Sequence, residues 1–343
     1  MTLKCIRAAL RAFLLPAMVA ASVSAQAGPF SGIYVFGDSL SDTGNLSLVT
    51  AGTKAPQPDP SQPYAPGRFS DGPLWVEGLA WGLGLAGQAN PYLVGGNNYA
   101  FAGARTGVDD SPPGVLAQVA GIWGPSLGVA DPNALYVVVG GGNDMRDARL
   151  AFQSESLADQ LGRQQAAITA ITDLANAIGY LAASGARNVL IANLPNLGNT
   201  PEAVLIELQA ASADASARFN ALVPTLFGLE TLFPSMNIEL LDMAGIAVNV
   251  LSNPGKFGVT NTDLPCGAFD FSAGANCANS LFSDTLHPSA FVHGLFAREA
   301  LEIYGIPLPG TLALMVLALL VLFAVHRSRQ GRVTMAAFRP AAP

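Results

Sequence analysis

The chain of 343 residues is 50% hydrophobic and only 12% charged, which excludes an intrinsically disordered protein. Residues 28–304 hold all 24 acidic residues but only 10 of the 17 basic ones, so this part carries a net charge of −14. A surface of this sign repels phosphate backbones, and nucleic acid is therefore not an expected partner.

The first 27 residues have the pattern of a secretory signal peptide. Lys4, Arg7 and Arg11 precede an apolar run at residues 12–23, and small residues follow as far as Ala27. An uncleaved membrane anchor is the alternative, although the apolar run is short for a bilayer span. The sequence therefore predicts export of the chain and a mature domain that begins near Gly28.

Between residues 28 and 304, apolar segments with strand character alternate with segments of helical periodicity. The expected strands are Ile33–Phe36, a short edge strand within 97–103, 135–139, Asn188–Ala192 and Asn237–Leu241. The expected helices are 74–85, 115–122, 156–184, 201–222 and 289–304, with long loops at 49–72 and 252–283. This alternation predicts a single α/β domain with a parallel sheet and helices on both of its faces.

Small polar residues follow the first strand directly. Gly37 ends the strand, and Asp38, Ser39, Ser41 and Asp42 come next. Polar groups at the carboxyl end of a buried strand are where an α/β sheet places its ligand site. Ser39 is therefore a candidate nucleophile, which needs a base to remove its hydroxyl proton.

A candidate base lies near the end of the domain. Residues 28–304 contain two histidines, His287 and His293, and Asp284 stands three positions before the first of them. A carboxylate this close can bond one ring nitrogen and leave the other free to face a serine. We therefore interpret Asp284 and His287 as an orienting acid and a base. His293 falls on the closing helix without an acid nearby in sequence, and we interpret it as structural.

These blocks resemble the GDSL (SGNH) family of serine esterases and lipases. The resemblance rests on Gly37-Asp38-Ser39-Leu40, Ala102-Gly103, Gly141-Gly142-Asn143 and Asp284-Thr285-Leu286-His287, in family order. It implies a flavodoxin-like three-layer α/β/α sandwich with a five-stranded parallel sheet. It also implies a Ser39, Asp284, His287 triad, with an oxyanion hole made by the Ser39 N–H, the Gly103 N–H and the Asn143 amide, and no cofactor or metal.

The resemblance implies a secreted or membrane-tethered carboxylic ester hydrolase that acts through an acyl-enzyme on a small-molecule, lipid or polysaccharide ester. Two alternatives on the same fold are an acyltransferase and a polysaccharide deacetylase. An alternative of another class is a surface or matrix binding protein that has lost the chemistry. The presence of Ser39, Asn143, Asp284 and His287 together favours an enzyme.

Cysteine usage fits an exported domain. Cys5 lies in the predicted signal peptide, which leaves Cys266 and Cys277 on either side of a Gly/Ala-rich loop. An even pair in an oxidising compartment favours a disulfide, and two buried free thiols are the alternative. No spacing in the sequence indicates a metal site.

A second apolar segment, residues 306–325, precedes Arg327, Arg329 and Arg332. Twenty apolar residues are long enough to cross a bilayer, and the arginines favour a cytoplasmic end. We therefore expect a transmembrane or sorting segment at 305–332 and a cytoplasmic tail at 333–343, although a buried helix is the alternative. The domain between the two apolar segments should then lie in the periplasm, the cell envelope or an extracellular matrix.

The C-terminal pattern also resembles a PEP-CTERM sorting tail. Pro307-Leu308-Pro309-Gly310 precedes the apolar segment and its arginines, although Leu308 stands where that family usually has Glu. The resemblance implies an exosortase-type processing enzyme as a partner. Retention in the membrane without processing is the alternative.

Overall fold

The computed structural model describes residues 28–50, 64–109, 111–124, 129–266 and 277–306. The predicted signal peptide lies outside the described residues. So do the predicted sorting tail from residue 307 onward and the predicted cytoplasmic tail.

A four-stranded parallel sheet forms the centre of the domain. Its strands are β1 (Ile33–Phe36), β2 (Leu135–Val138), β3 (Asn188–Ala192) and β4 (Asn237–Leu241), in the order 1-2-3-4. Ile33 pairs with Leu135, which pairs in turn with Asn188. Nearly continuous apolar runs are typical of strands covered on both faces, and here they confirm the predicted α/β class with a parallel sheet.

The predicted fifth strand is present as an extended segment beside β1 and not as a regular strand. Val35 accepts from the Tyr99 N–H at 2.7 Å and donates to the Asn97 carbonyl at 3.0 Å. Among the described residues of this segment, Asn98 is the one that forms a β-bridge with Val35. The Asn98 side chain bonds the Ser41 carbonyl and the Ala100 N–H, and such local bonds compete with a strand ladder. The count of five strands is thus corrected to four strands and one extended edge segment.

Helices cover both faces of the sheet. They are α1 (Asn45–Val49), α2 (Trp75–Gly82), α3 (Val115–Ala117, continued by a π-helical segment Gln118–Trp123), α4 (Gly142–Ala151), α5 (Leu157–Ala183), α6 (Pro201–Leu205), α7 (Gln209–Leu222), α8 (Leu229–Leu232), α9 (Met243–Ser252) and α10 (Ala290–Ile303). Short 3₁₀ turns lie at Ala86–Ala89, Tyr92–Val94, Leu197–Asn199, Val223–Gly228, Pro254–Phe257 and Cys277–Asn279. Strands β5 (Asn261–Pro265) and β6 (Ser280–Phe282) pair in a separate parallel ribbon.

Two hydrophobic cores follow from the alternation of side chains along the strands. One face of the sheet, including Phe36 and Tyr136, packs against α5 and α7. The opposite face, including Val35 and Val137, packs against α2 and α10. The result is three layers, helix, sheet and helix, with the carboxyl ends of the strands left open at one edge.

The predicted helix at 201–222 is wrong as a single helix. It is divided into α6 and α7 at Glu207, whose φ of 57° is left-handed. The Leu208 N–H donates to the Ala203 carbonyl, and this closes α6 in a Schellman-type end. Glutamate is an uncommon residue at such a position, so the sequence offers no glycine to mark the break.

One described helix, α5, is long and apolar enough to cross a membrane by length and composition. Its inward side, with Ala170, Leu174 and Ile178, is buried against the sheet. Core helices of soluble domains pass the same test, so this feature carries little weight as a membrane span.

Candidate active site

The loop at residues 37–44, here called the Ser39 loop, leaves β1 at the open edge of the sheet. Gln118 pins its start, because the Gly37 N–H donates to Gln118 Oε1 and Gln118 Nε2 donates to the Gly37 carbonyl, both at 2.8 Å. A Cβ at Gly37 would lie 2.9 Å from Val139 Cγ2 and 3.1 Å from the Val139 carbonyl oxygen, so any larger residue would force Val139 to move. The Ser39 backbone is therefore held close to the end of β2.

Asp42 connects the Ser39 loop to the segment that carries Gly103. Its Oδ1 accepts from the Gly44 and Asn45 N–H groups at 2.8 and 2.6 Å, and its Oδ2 accepts from the Ala102 N–H at 2.8 Å. Burial raises the pKa of Asp42, and the backbone donors act against that shift. Asp42 therefore holds the Ser39 loop through local hydrogen bonds and also fixes the neighbouring segment at Ala102.

Ser39, His287 and Asp284 lie in one hydrogen-bonded chain, each 8% exposed. His287 Nε2 is 2.8 Å from Ser39 Oγ, and His287 Nδ1 is 2.6 Å from Asp284 Oδ2. Asp284 Oδ1 accepts from the Leu286 and His287 N–H groups at 2.7 and 2.5 Å. The Tyr64 hydroxyl donates to Asp284 Oδ2.

The charge state of Asp284 follows from these contacts. Burial opposes ionisation of the carboxyl, but the facing His287 ring and the hydrogen bonds outweigh it and hold the Asp284 pKa well below its usual range. An ionised carboxylate at this position can fix the proton on His287 Nδ1 and leave Nε2 as an acceptor toward Ser39. This arrangement has the geometry of a nucleophile, a base and an orienting acid.

One pocket is lined by the three residues predicted to supply oxyanion donors, Ser39, Gly103 and Asn143, together with His287. Gly103 has a φ of +82°, a conformation that favours glycine. Within the part of the chain that the structure describes, the N–H groups of Ser39 and Gly103 donate to no protein acceptor. Asn143 lies in the first turn of α4, which follows β2, and its Nδ2 donates to the Ala104 carbonyl at 2.9 Å. These N–H groups are available for a developing negative charge.

Two other polar residues near the site have structural contacts. Asp144 accepts from the Thr106 N–H and hydroxyl, so it braces the segment that carries Gly103. His293 is fully buried and its Nδ1 accepts from the Trp75 N–H at 3.3 Å. Burial lowers the His293 pKa to about 3. This histidine remains neutral at physiological pH and packs in the core.

An apolar pocket opens beside Ser39 on the side of α9 and α10. Its volume is ≈ 870 Å³ with the open mouth included. Aliphatic and aromatic side chains form most of its wall, among them Leu194, Leu197, Val248, Leu251, Phe282 and Phe296. Such a wall fits a hydrocarbon group and offers few partners to sugar hydroxyls.

A disulfide joins Cys266 and Cys277, with Cα atoms 4.9 Å apart. It lies next to the β5–β6 ribbon, whose end leads into the Asp284–His287 segment. Among the described residues, the group of potential metal ligands is Asp71 with these two cysteines. Sulfur atoms that are bonded to each other are not thiolates, so this group does not fit a metal ion.

Sequence reasoning missed Tyr64, Gln118, Arg146 and Glu202, which all contribute to the site. Gln118 carried a weak signal, because it is a lone polar residue in the mostly apolar segment Val115–Trp123. Tyr64 and Glu202 reach the site through contacts between distant parts of the chain, for which the sequence shows no local pattern. Arg146 lies three positions after Asn143 on the same helix, but its contact with Glu202 is equally distant in sequence.

Replacing Asp38 with asparagine is expected to raise the free energy of unfolding at pH 8 by about 2–3 kcal/mol. Burial raises the pKa of Asp38 from 3.8 to about 6. The stability that the neutral Asp38 carboxyl contributes is therefore fully present below pH 3.8 and is lost as the pH rises through about 6. Asparagine stays neutral and keeps an oxygen for the Leu40 N–H, which donates to Asp38 Oδ1 at 3.0 Å.

Urea unfolding near pH 4 and at pH 8 tests this expectation. The gain should appear at pH 8 and be small near pH 4, whereas Asp263→Asn, at an exposed carboxylate on β5, should change neither value. An equal gain at both pH values would contradict the assigned cause.

Comparisons with known proteins identify the family of this chain. A family model described as GDSL-like Lipase/Acylhydrolase matches residues 33–300. Over 242 residues the chain is 29% identical to a phosphatidylcholine-sterol acyltransferase of Aeromonas hydrophila, covering 69% of this chain and 65% of that protein. It is also 29% identical over 364 residues to esterase EstA of Pseudomonas putida, covering 88% of this chain and 51% of that protein.

Among solved structures, Est24, a carbohydrate acetylesterase from Sinorhizobium meliloti, matches with a TM-score of 0.43 and 14% identity. The match covers 80% of this chain and 99% of that one. The chain therefore spans between half and two thirds of the length of the two curated relatives named above, and nearly all of the solved one.

Proposed function

Because the chain belongs to the GDSL-like lipase/acylhydrolase family, we propose that it hydrolyses carboxylic esters through an acyl-enzyme formed on Ser39. The observation that carries the proposal is the hydrogen-bonded chain from Ser39 Oγ through both ring nitrogens of His287 to Asp284, with distances of 2.8 and 2.6 Å. A serine, a base and an oriented acid within hydrogen-bond reach are the parts that this reaction needs.

Each step of the proposed reaction uses one of these groups. Ser39 Oγ attacks the ester carbonyl carbon while His287 Nε2 takes the hydroxyl proton. The carbonyl oxygen becomes negative and accepts from the N–H groups of Ser39, Gly103 and Asn143. The carbon–oxygen bond to the alcohol then breaks, and His287 returns the proton to the departing alcohol.

Water completes the cycle by the same route. Its oxygen bonds to the acyl carbon as His287 Nε2 takes its proton, and the acid leaves as Ser39 recovers the proton. Asp284 stays ionised throughout and stabilises the imidazolium form of His287. The chain's own residues supply every proton transfer in this scheme.

Labelling with a fluorophosphonate tests the proposal. We expect one covalent adduct on Ser39, identified by mass spectrometry, and no adduct in His287→Ala, because the hydroxyl is a poor nucleophile without its base. A protein that takes no label and hydrolyses none of the p-nitrophenyl esters from acetate to palmitate, while folded by circular dichroism, would instead support a binding role.

The apolar pocket supports an ester with an aliphatic chain as the substrate. Ala247 lines this pocket from α9, so Ala247→Phe should fill part of it. We expect kcat/KM for decanoate relative to butyrate esters to fall about tenfold, because the longer chain loses its apolar contacts. Asn249→Phe, an exposed position on the same helix that does not line the pocket, is the matched control.

Esters with the long chain in the alcohol half distinguish the two halves of the substrate. If the pocket holds the alcohol, Ala247→Phe should penalise decyl acetate and spare methyl decanoate. An unchanged profile with both series would contradict the assignment of the pocket to substrate.

Acyl transfer is the second candidate, because the relative from Aeromonas hydrophila is named an acyltransferase. The same acyl-enzyme would pass its acyl group to an acceptor alcohol instead of water. Product analysis with and without an added long-chain alcohol or sterol distinguishes the two reactions. A new ester that forms at the expense of the free acid would favour transfer.

Export and anchoring also belong to the proposal. Support comes from the charge-flanked apolar segments at both ends and from the disulfide, which suits an oxidising compartment. N-terminal sequencing of the protein purified from the membrane fraction should show that the mature chain begins near Gly28. A mature C-terminus within the 305–332 segment would favour an exosortase-type partner, and an intact one would favour a membrane anchor.

A further inference from the structure

The side-chain amide of Asn143 is held in one orientation by two different partners. Its Nδ2 donates to the Ala104 carbonyl at 2.9 Å, and its Oδ1 accepts from Arg146 Nη1 at 3.3 Å. A flipped amide would place oxygen against the carbonyl and NH₂ against the guanidinium, so both contacts would be repulsive. The orientation seen leaves the second N–H of Nδ2 for the pocket beside Ser39.

Arg146 is itself fixed by a planar ion pair. Its Nε and Nη2 donate to the two oxygens of Glu202 at 3.0 and 2.5 Å, and such a two-point contact sets the direction of the guanidinium. The buried Arg149 donates to the same carboxylate. Two guanidinium groups on one carboxylate leave a net positive charge next to Asn143.

Glu202 is also tied to the segment that carries His287. It lies at the start of α6, and its backbone N–H donates to the carbonyl of Thr285 at 2.7 Å. Thr285 stands between Asp284 and His287 in the chain. Arg146 lines both pockets at Ser39, so the pair spans the space between Asn143 and the His287 segment.

We propose that Arg146, held by Glu202, is a positioning residue that locks the Asn143 amide with its N–H toward the oxyanion. This rests on the proposed ester hydrolysis at Ser39. The relation of Glu202 to Arg146 and Asn143 parallels that of Asp284 to His287 and Ser39. Asp284 orients His287, which contacts Ser39 Oγ. Glu202 orients Arg146, which contacts the Asn143 amide. The lock acts on the transition state, where the oxyanion exists, and has little effect on the bound ester.

A double-mutant cycle tests the proposal with Arg146→Met, Asn143→Ala and the double variant. Arg146→Met is expected to lower kcat for p-nitrophenyl butyrate by about ten- to a hundredfold, with KM changed less than about threefold. Asn143→Ala should lower kcat by about 10²- to 10³-fold. In the Asn143→Ala background, removing Arg146 should cause almost no further loss, because the amide that it orients is gone.

Controls separate this role from a general loss of structure. Arg298→Met removes an exposed arginine of α10 and should leave kcat unchanged. Arg146→Gln keeps a hydrogen-bond donor for Glu202. It takes the place of Arg146→Met in the cycle if Arg146→Met does not fold. Urea midpoints report the fold of each protein.

Two results would overturn the inference. A loss from Arg146→Met or Arg146→Gln that is equally large in the Asn143→Ala background would show that the arginine acts on the charge or the fold and not through Asn143. If the Arg146 variant folds and keeps the full kcat while Asn143 is present, the lock is not needed. If the unmodified protein neither hydrolyses esters nor takes the fluorophosphonate, the proposed function fails, and this inference fails with it.

Discussion

Ser39→Ala is expected to lower kcat for p-nitrophenyl butyrate by about 10⁶-fold, to a residual rate that comes from binding and the oxyanion donors. Without the hydroxyl there is no oxygen to form the acyl-enzyme, and His287 has no proton to accept from it. The backbone N–H groups of Ser39 and Gly103 remain in place. The variant should therefore still bind the ester and turn it over only by direct attack of water.

The fold should survive this change. Ser39 is almost buried, and the one side-chain hydrogen bond of its hydroxyl among the described contacts is to His287, so its removal should cost about 1 kcal/mol at most. Urea unfolding followed by circular dichroism measures this cost.

Ser41→Ala is a matched control in the same loop. Its hydroxyl accepts from Trp75 Nε1 at 3.2 Å, away from His287, so this change should affect stability more than rate. Activity retained in Ser39→Ala would point to another nucleophile. Equal loss in both variants would indicate collapse of the loop and not loss of the reacting oxygen.

The central sheet was predictable because its strands are buried on both faces. Such strands are unbroken apolar runs, and Ile33–Phe36, Asn188–Ala192 and Asn237–Leu241 occur where the sequence placed them. The 97–103 segment was harder, since the polar side chain of Asn98 bonds loop carbonyls and interrupts the ladder. The break at Glu207 was not predictable, because neither glycine nor proline marks it.

The site could be predicted in part for a related reason. Asp284 and His287 are close in sequence, and Ser39 and Asn143 each follow a strand, so local patterns and sheet topology were enough to nominate them. Tyr64 reaches Asp284 across 220 positions, and Glu202 reaches Arg146 across 56. Contacts of this kind depend on how loops pack at the open edge of the sheet, and no periodicity encodes them.

Asp284→Asn is expected to lower kcat by about 10⁴-fold while the geometry of the site stays nearly unchanged. The oxygen Oδ1 of Asp284 accepts from two backbone N–H groups, those of Leu286 and His287. An asparagine must keep its oxygen at that place, so its NH₂ group faces His287 Nδ1. The ring then accepts a hydrogen bond at Nδ1 and carries its proton on Nε2, which points at Ser39 and cannot take the hydroxyl proton.

The pH dependence gives this prediction a second readout. Because the Asp284 pKa lies well below its usual range, the carboxylate stays ionised from pH 5 to 9, and its titration contributes nothing to the pH profile of the unmodified enzyme in that window. The stability that it contributes is present above its ordinary pKa of 3.8 and is lost as the pH falls through the lower folded value. In Asp284→Asn, this fall in the free energy of unfolding at acidic pH should be absent.

Kinetics from pH 5 to 9 and urea unfolding from pH 3 to 7 test both parts, with Asp263→Asn as a control at an exposed carboxylate. If Asp284→Asn kept kcat within about tenfold of the unmodified enzyme, the tautomer of His287 would not depend on Asp284. The Tyr64 hydroxyl also contacts Asp284 Oδ2. It would not rescue the variant, because a hydrogen bond to residue 284 does not move the ring proton away from His287 Nε2. A large loss of kcat in a variant that is still folded at pH 7, with a urea midpoint that is lower at pH 7 than in the unmodified protein and no longer falls toward pH 3, would therefore identify the carboxylate as the group that sets the direction of proton transfer.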